Sequence, residues 1–290
     1  MKAHRSAKAK QVTEIVAFSL LGAAMLVGLL ALGVILYYII SRGSGAVTWE
    51  FLTAFPRRGM TAGGIYPALV GSFYLTIGAL VVALPLALGA AIFLVEYARE
   101  GAWVRAIRIG VNTLAGVPSI VFGLLGLALF VKALGIGVSL LAGSLTLGFL
   151  ILPLLIRTTE EALRSVPRSF REGGLAVGAT RWRTIHSIVL PASLPGILTG
   201  IVLSLSRAIG ETAPIMFTAA AFFTPRLPST PLDEVMALPY HIFVMATESP
   251  NAWRTQGLQY GAVLVLVGLV LILNLGAILL RAHARRKKVW

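Results

Sequence analysis

The 290-residue sequence predicts an all-α, polytopic membrane protein with six transmembrane helices. Of its residues 57% are hydrophobic and only 12% charged, with a mean hydropathy of +0.88. That is more apolar surface than a soluble domain of this length hides. The apolar residues come in runs long enough for a hydrocarbon core about 30 Å thick, which takes about 20 helical residues to cross. The formal net charge of +14 sits almost wholly in short segments between those runs, which argues for membrane topology and against a nucleic-acid partner. There is no cysteine, so disulfides are excluded.

In chain order, a basic tail (1–14) precedes the first run, 15–40. This run is longer than the apolar core of a signal peptide and lacks a clear small-residue cleavage site, so it reads as a retained helix. Runs at 68–95, 107–131, 134–156, 196–221 and 257–280 complete one transmembrane domain over 15–281, and 282–290 forms a second basic tail. A hairpin at 132–143 joins the third and fourth spans. The apolar stretch 236–245 is too short to cross and is expected to be an interfacial or re-entrant helix, inside an outer segment at 222–256.

Charge orients the spans. Lys2, Arg5, Lys8 and Lys10 share one side with Arg281, Arg285, Arg286, Lys287 and Lys288. The second–third connection adds Arg99, Arg105 and Arg108 to that side, and the fourth–fifth adds Arg157, Arg164, Arg168, Arg171, Arg181 and Arg183. The other side holds only Arg42, Arg57, Arg58, Lys132, Arg226 and Arg254. The positive-inside rule therefore predicts cytoplasmic termini.

The segment 157–195 is too long and too polar for a simple connector. Pro167 and Pro191 bracket a stretch able to form two short helices. Ser169 and Glu172 have capping-box spacing, Gly178 suits a turn with positive φ, and a second helix would carry Trp182, Ile185 and Val189. Such a basic amphipathic segment also suits the bilayer surface. The spacing says more. Glu172-Gly173-Gly174, then Gly178, then Ile188-Val189-Leu190-Pro191 resembles the EAA loop of ABC-importer permeases, offset for offset, with two glycines in place of alanines. Each such replacement lowers helix propensity by about 1 kcal/mol. "GVPSIVFGLLG", "LPLLIRTTEEALRSVP" and "RAIGETAPIMFTA" extend the resemblance to the A-type (PstA-type) permeases of phosphate importers. The C-type permeases share the Arg-x-x-Gly-Glu-Thr core but usually depart after it, where this chain has Ala213-Pro214.

The resemblance implies a type I ABC importer permease in a bacterial inner membrane. It would pair with a paralogous C-type permease around a phosphate path, below a periplasmic phosphate-binding protein and above a cytoplasmic ATPase dimer. Glu172, Gly173, Gly174, Gly178, Leu190 and Pro191 would then dock the ATPase. ATP and its magnesium are expected in that partner, because no stretch matches Gly-x-x-x-x-Gly-Lys-Ser/Thr. "GMTAGG" at Gly59 lacks the lysine and lies outside. His4, His186, His241 and His283 have no ligand spacing, so no metal site is expected, and no nucleophile–base constellation suggests catalysis.

Within the fifth span, Gly200, Ser204, Arg207, Glu211, Pro214 and Thr218 recur at alternating steps of four and three, which would line one helix face. Asn112, Gly116, Ser119, Gly123 and Gly126 form a second stripe in the third span, and such stripes commonly serve tight helix packing. A midspan arginine costs about 2.5–3.5 kcal/mol to insert, so Arg207 should face a partner or water. With Glu211 it forms either a structural clasp or a cation for the anion path, alongside Thr212, Ser204, Asn112 and Ser119. Pro214 removes the donor for the Gly210 carbonyl, so a kink is expected there, as a hinge or as a static bend. The proline-rich 224–243, with Asp233 and Glu234, either meets the binding protein or is a solvated loop. Another oxyanion, such as sulfate or molybdate, is the alternative substrate. A membrane sensor that contacts an ATPase without transporting is the alternative function.

Overall fold

The computed structural model describes residues 2–224, 226–249 and 252–286, and these form a helical bundle. Five helical stretches are long and apolar enough to cross a membrane, and a bent pair makes a sixth. Helix α1 spans Lys2–Gly43 and so takes in the expected N-terminal tail, which contains no glycine or proline to stop it. Its apolar residues from Val12 to Ile40 are largely exposed. It meets the bundle near its end, where Tyr38 packs edge-on against Tyr260 and Gly43 lies against the Tyr260 backbone. Helix α2 (Trp49–Thr53), capped by the Thr48 hydroxyl, leads into a two-stranded antiparallel hairpin, β1 (Pro56–Arg57) and β2 (Ala62–Gly63).

Helix α3 (Tyr66–Ile92) and helix α6 (Leu140–Arg164) form the centre. Along α3, Ala79, Ala83, Ala87 and Ala91 recur every four residues with no exposure, facing Leu147, Leu150, Ile151 and Leu155 of α6 or the cluster beneath. Glycines bring the backbones together. A Cβ on Gly78 would lie 2.2 Å from the Ser144 hydroxyl, and one on Gly148 3.2 Å from the Ala79 carbonyl. In a hydrocarbon setting such close contact replaces the hydrophobic drive that water supplies elsewhere.

The third span departs from the expected continuous helix. Helix α4 (Ala102–Ala115) and helix α5 (Ser119–Gly126), the latter running on through a π-helical stretch to Ala133, are bent by 100°. Pro118 causes the break: it has no N–H to continue the ladder and disfavours helical backbone at the residue before it. The fourth span begins later than expected, at Leu140, because Gly135 and Gly137 adopt positive φ and Ser139 caps α6. It also ends later, at Arg164, so the first part of 157–195 is helix rather than loop.

The rest of that segment is a helical hairpin. Helix α7 (Arg168–Ala176) starts after Pro167, not after Ser169, so the expected capping box does not form. Helix α8 (Arg181–Thr184), a π-helical turn (Ile185–Val189) and helix α9 (Leu190–Gly210) form one continuous rod. Pro191 therefore does not end a separate helix; the wider π turn accommodates the proline that follows it. The fifth span itself stops at Gly210. Glu211 is extended (φ −76°, ψ 129°), and helix α10 (Ala213–Thr218) starts anew with Pro214 in its first turn. The bend expected at Pro214 is thus a full break.

Beyond α10, the amides of Leu140 and Leu141 donate to the carbonyls of Asp233 and Pro231, so this loop caps α6. The Thr230 amide, the Ser229 hydroxyl and amide, and the Thr230 hydroxyl hold the Asp233 carboxyl well below the usual carboxylate range. Helix α11 (Leu238–Thr247) has ten residues, too few to cross. Helix α12 (Gln256–Arg286) takes in most of the second tail; Lys287 and Lys288 lie outside the described residues.

Candidate functional site

The break between α9 and α10 gathers the charges that the fifth span carries. Arg207 occupies the last turn of α9, where unpaired carbonyls favour a cation. Glu211 stands just before the first turn of α10, where unpaired amides favour an anion. Its carboxylate accepts from Nε of Arg207 at 3.4 Å, a long and single contact. The two side chains are 35% and 16% exposed, so the arginine is the more open of the pair while the carboxylate is largely covered. The Gly210 carbonyl has no helical donor, since Pro214 stands where that N–H would be.

Glu211 also lines a small cleft walled by Ser72 and Thr76 of α3, Leu147 of α6, Ile215 of α10 and the entry to α11. Ser72 accepts the Leu238 amide at 2.7 Å, and Thr76 donates to the Ser72 carbonyl. The sequence reading missed both residues. Their signal was an i, i+4 polar pair within an apolar span.

The expected stripes come apart. Ser204 is fully buried, and its hydroxyl has no partner among the described residues. Gly200 lies against Thr158. Thr212 sits in the break beside Glu211, partly buried. In the third span, Gly123 packs on Pro214 and Gly126 on Thr146 and Thr218, so this part of the stripe is a packing seam. Ser119 opens α5 and is partly buried. Asn112 is exposed on α4. It lines a separate cleft of about 290 Å3 between α4 and α6 with Arg108, Arg157 and Glu160. There Glu160 bridges Arg108 and Arg164, each at 2.9 Å, and pins α4 to the centre.

At the basic end, the glycine turn has a defined geometry. Gly178 has φ +83°, its amide donates to the Leu175 carbonyl, and the Ala179 amide donates to that of Gly174. This is a Schellman motif ending α7. The two glycines after Glu172 differ. Gly173 faces open space, whereas a Cβ on Gly174 would lie 2.7 Å from Thr184, so Gly174 lets α7 pack on the rod that follows. Glu172 is exposed midway along α7, while Leu190 and Pro191 lie where the rod enters α9, partly buried and exposed respectively. Leu175, Val177 and Trp182 add an exposed apolar rim to the hairpin.

Comparison with known proteins places the fold and the family. Residues 83–289 match the family described as "Binding-protein-dependent transport system inner membrane component". The "Phosphate transport system permease protein PstA 1" of Mycobacterium tuberculosis (strain CDC 1551 / Oshkosh) is 36% identical over 283 residues, covering 96% of this chain and 92% of that one. The "Probable ABC transporter permease protein YqgI" of Bacillus subtilis (strain 168) is 35% identical, covering 88% of each. A crystal structure of a bacterial alginate ABC transporter in complex with its oligosaccharide-bound periplasmic protein superposes with a TM-score of 0.60. At 14% identity, over 87% of this chain and 92% of that one, it shows a shared fold.

Gly178 gives this geometry its test. Space around it is open, so only backbone strain opposes a side chain. Gly178→Val is expected to loosen the turn, at a cost of about 1–3 kcal/mol, and to speed tryptic cleavage at Arg181. Gly178→Asn, which tolerates positive φ, should keep the wild-type rate. Equal cleavage of all three proteins would show that the turn does not depend on glycine.

Proposed function

The chain belongs to the family of inner-membrane components of binding-protein-dependent transport systems and has the type I ABC importer permease fold; on that premise we propose that it is the A-type permease of an importer for inorganic phosphate. The observation that carries the substrate is the relative named for phosphate transport, aligned at 36% identity over 96% of the chain. In this reading a paralogous C-type permease completes the path and a periplasmic phosphate-binding protein delivers the ion. A cytoplasmic ATPase dimer binds ATP and magnesium. The clustering of arginine and lysine supports placing both termini and the Gly178 turn in the cytoplasm.

Arg207 then supplies the cation that a desolvated phosphate needs, through a planar fork able to bind two oxygens. The long contact to Glu211 supports a pair that yields. Glu211 holds the guanidinium between transport events, releases it to the anion and accepts a hydrogen bond from protonated phosphate. A carboxylate beside the anion also shortens its stay, which suits passage rather than storage. The break at Glu211 and Thr212 supplies the hinge, with Gly210 and Pro214 on either side. Glu172 with the glycine turn, Leu190 and Pro191 carry the ATPase contact, and motion there reaches Arg207 along the unbroken rod from Arg181.

Two measurements check this. Arg207→Lys should assemble yet import phosphate at least about tenfold more slowly, because a point charge replaces the fork. Arg207→Glu combined with Glu211→Arg should not restore uptake; near-normal uptake by the assembled double variant would reduce the pair to a clasp. For orientation, cysteines placed at Ser44 and Ser229 should label with an impermeant reagent in intact cells. Labelling of a cysteine at Ser165 instead would reverse the topology.

A further inference from the structure

The ATPase-facing helix α7 is only nine residues long, yet one side chain ties it to two other elements. Arg171 donates from Nη2 to Glu96 at 2.7 Å and from Nε to the same carboxylate at 3.0 Å. Its Nη2 also donates to the Leu163 carbonyl at 2.8 Å, and its Nη1 to that of Val166 at 2.7 Å. Glu96 belongs to the π-helical turn that ends α3 (Phe93–Tyr97), while Leu163 lies in the last turn of α6 and Val166 just beyond it. One guanidinium thus joins α7 to the C-terminal ends of both central helices. The two side chains are 21% and 10% exposed, so the pair is more shielded than a surface salt bridge.

Apolar contact reinforces the joint. Phe170, next in sequence, packs against a small cluster of Ala91, Leu163, Val166 and Val189. Those four residues come from α3, α6, the connection to α7 and the rod leading to α9. Gly174, one turn on from Phe170 on the same face of α7, lets that face lie against Thr184. The helix is therefore held along one face by Phe170, Arg171 and Gly174, and its exposed face, at Glu172 and Gly173, is the part left for a partner. Only arginine has donors enough, in a fixed fork, to serve a carboxylate and two carbonyls at once.

We propose that Arg171 is a positioning residue for coupling, which makes α7 move as one body with the ends of α3 and α6 when the ATPase shifts it. The inference rests on the proposed ATPase contact at the Gly178 turn. A helix docked to the ATPase but loose against the spans would turn in place and waste the stroke. The Arg171–Glu96 joint converts that stroke into displacement of the central pair.

The test uses the complete importer in proteoliposomes. Phosphate imported per ATP hydrolysed is measured together with the spin-label distance between Phe93→Cys and Ala176→Cys, which are unique labels in a chain without cysteine. Arg171→Gln should lower the ratio about fivefold and broaden the distance distribution, in complexes that still assemble. Arg171→Lys should resemble Arg171→Gln, and Glu96→Gln should fall between them and wild type, which keeps the test open if the glutamine variant at 171 fails to assemble. An unchanged ratio and an equally narrow distribution in both glutamine variants would overturn the proposal. Wild-type vesicles that hydrolyse ATP without importing phosphate would sink the phosphate reading alone, since the distance distributions still decide the joint.

Discussion

Everything in this fold is referred to the seam between α3 and α6, where small side chains bring two backbones into contact. The alanines at 79, 83, 87 and 91, with Gly78 and Gly148, leave no room for water or lipid between the helices. Within lipid, association rests on such packing and on polar links, because lipid tails are as apolar as leucine. The other elements fasten to this pair. The loop around Asp233 caps one end of α6, Glu160 pins α4 along it, and Arg171 secures α7 at the basic end.

Against that frame the fifth span is built to be discontinuous. Proline and glycine stop α9 at Gly210, and a short helix resumes at Ala213. A break exposes helix ends, and helix ends favour charges of the sign found there: arginine at the carbonyl end and glutamate before the amide end. This answers why so apolar a stretch tolerates a full ion pair. Interrupted helices that line a path are also the recurring way for membrane transport proteins to present backbone and charge to an ion.

Much of this was legible in the sequence. Run length and charge placement gave the spans, and the positive φ of Gly178 followed from its place in the Glu172 motif. What sequence periodicity does not reveal is which prolines break a helix. Pro118 and Pro214 interrupt their spans, whereas Pro85, Pro153 and Pro195 sit inside helices. The difference lies in tertiary packing. Gly123 clamps the Pro214 region against α5, while a π turn absorbs the strain near Pro191. Alternation of small and polar residues likewise merges packing seams with candidate path positions. Gly123 and Gly126 proved to be seam, and Asn112 lines a different cleft from the one that Glu211 lines. Ser72 and Thr76 went unnoticed because two hydroxyls in an apolar helix usually satisfy their own backbone, as Thr76 does.

The central claim is that Arg207 leaves Glu211 to meet the transported anion at the break between α9 and α10. An electron cryomicroscopy structure of the assembled importer, trapped with phosphate in the membrane path, addresses it directly. The account predicts two guanidinium nitrogens of Arg207 at about 2.8 Å from phosphate oxygens, with the contact to Glu211 open. Phosphate resolved elsewhere in the path, with Arg207 still on Glu211, would contradict it.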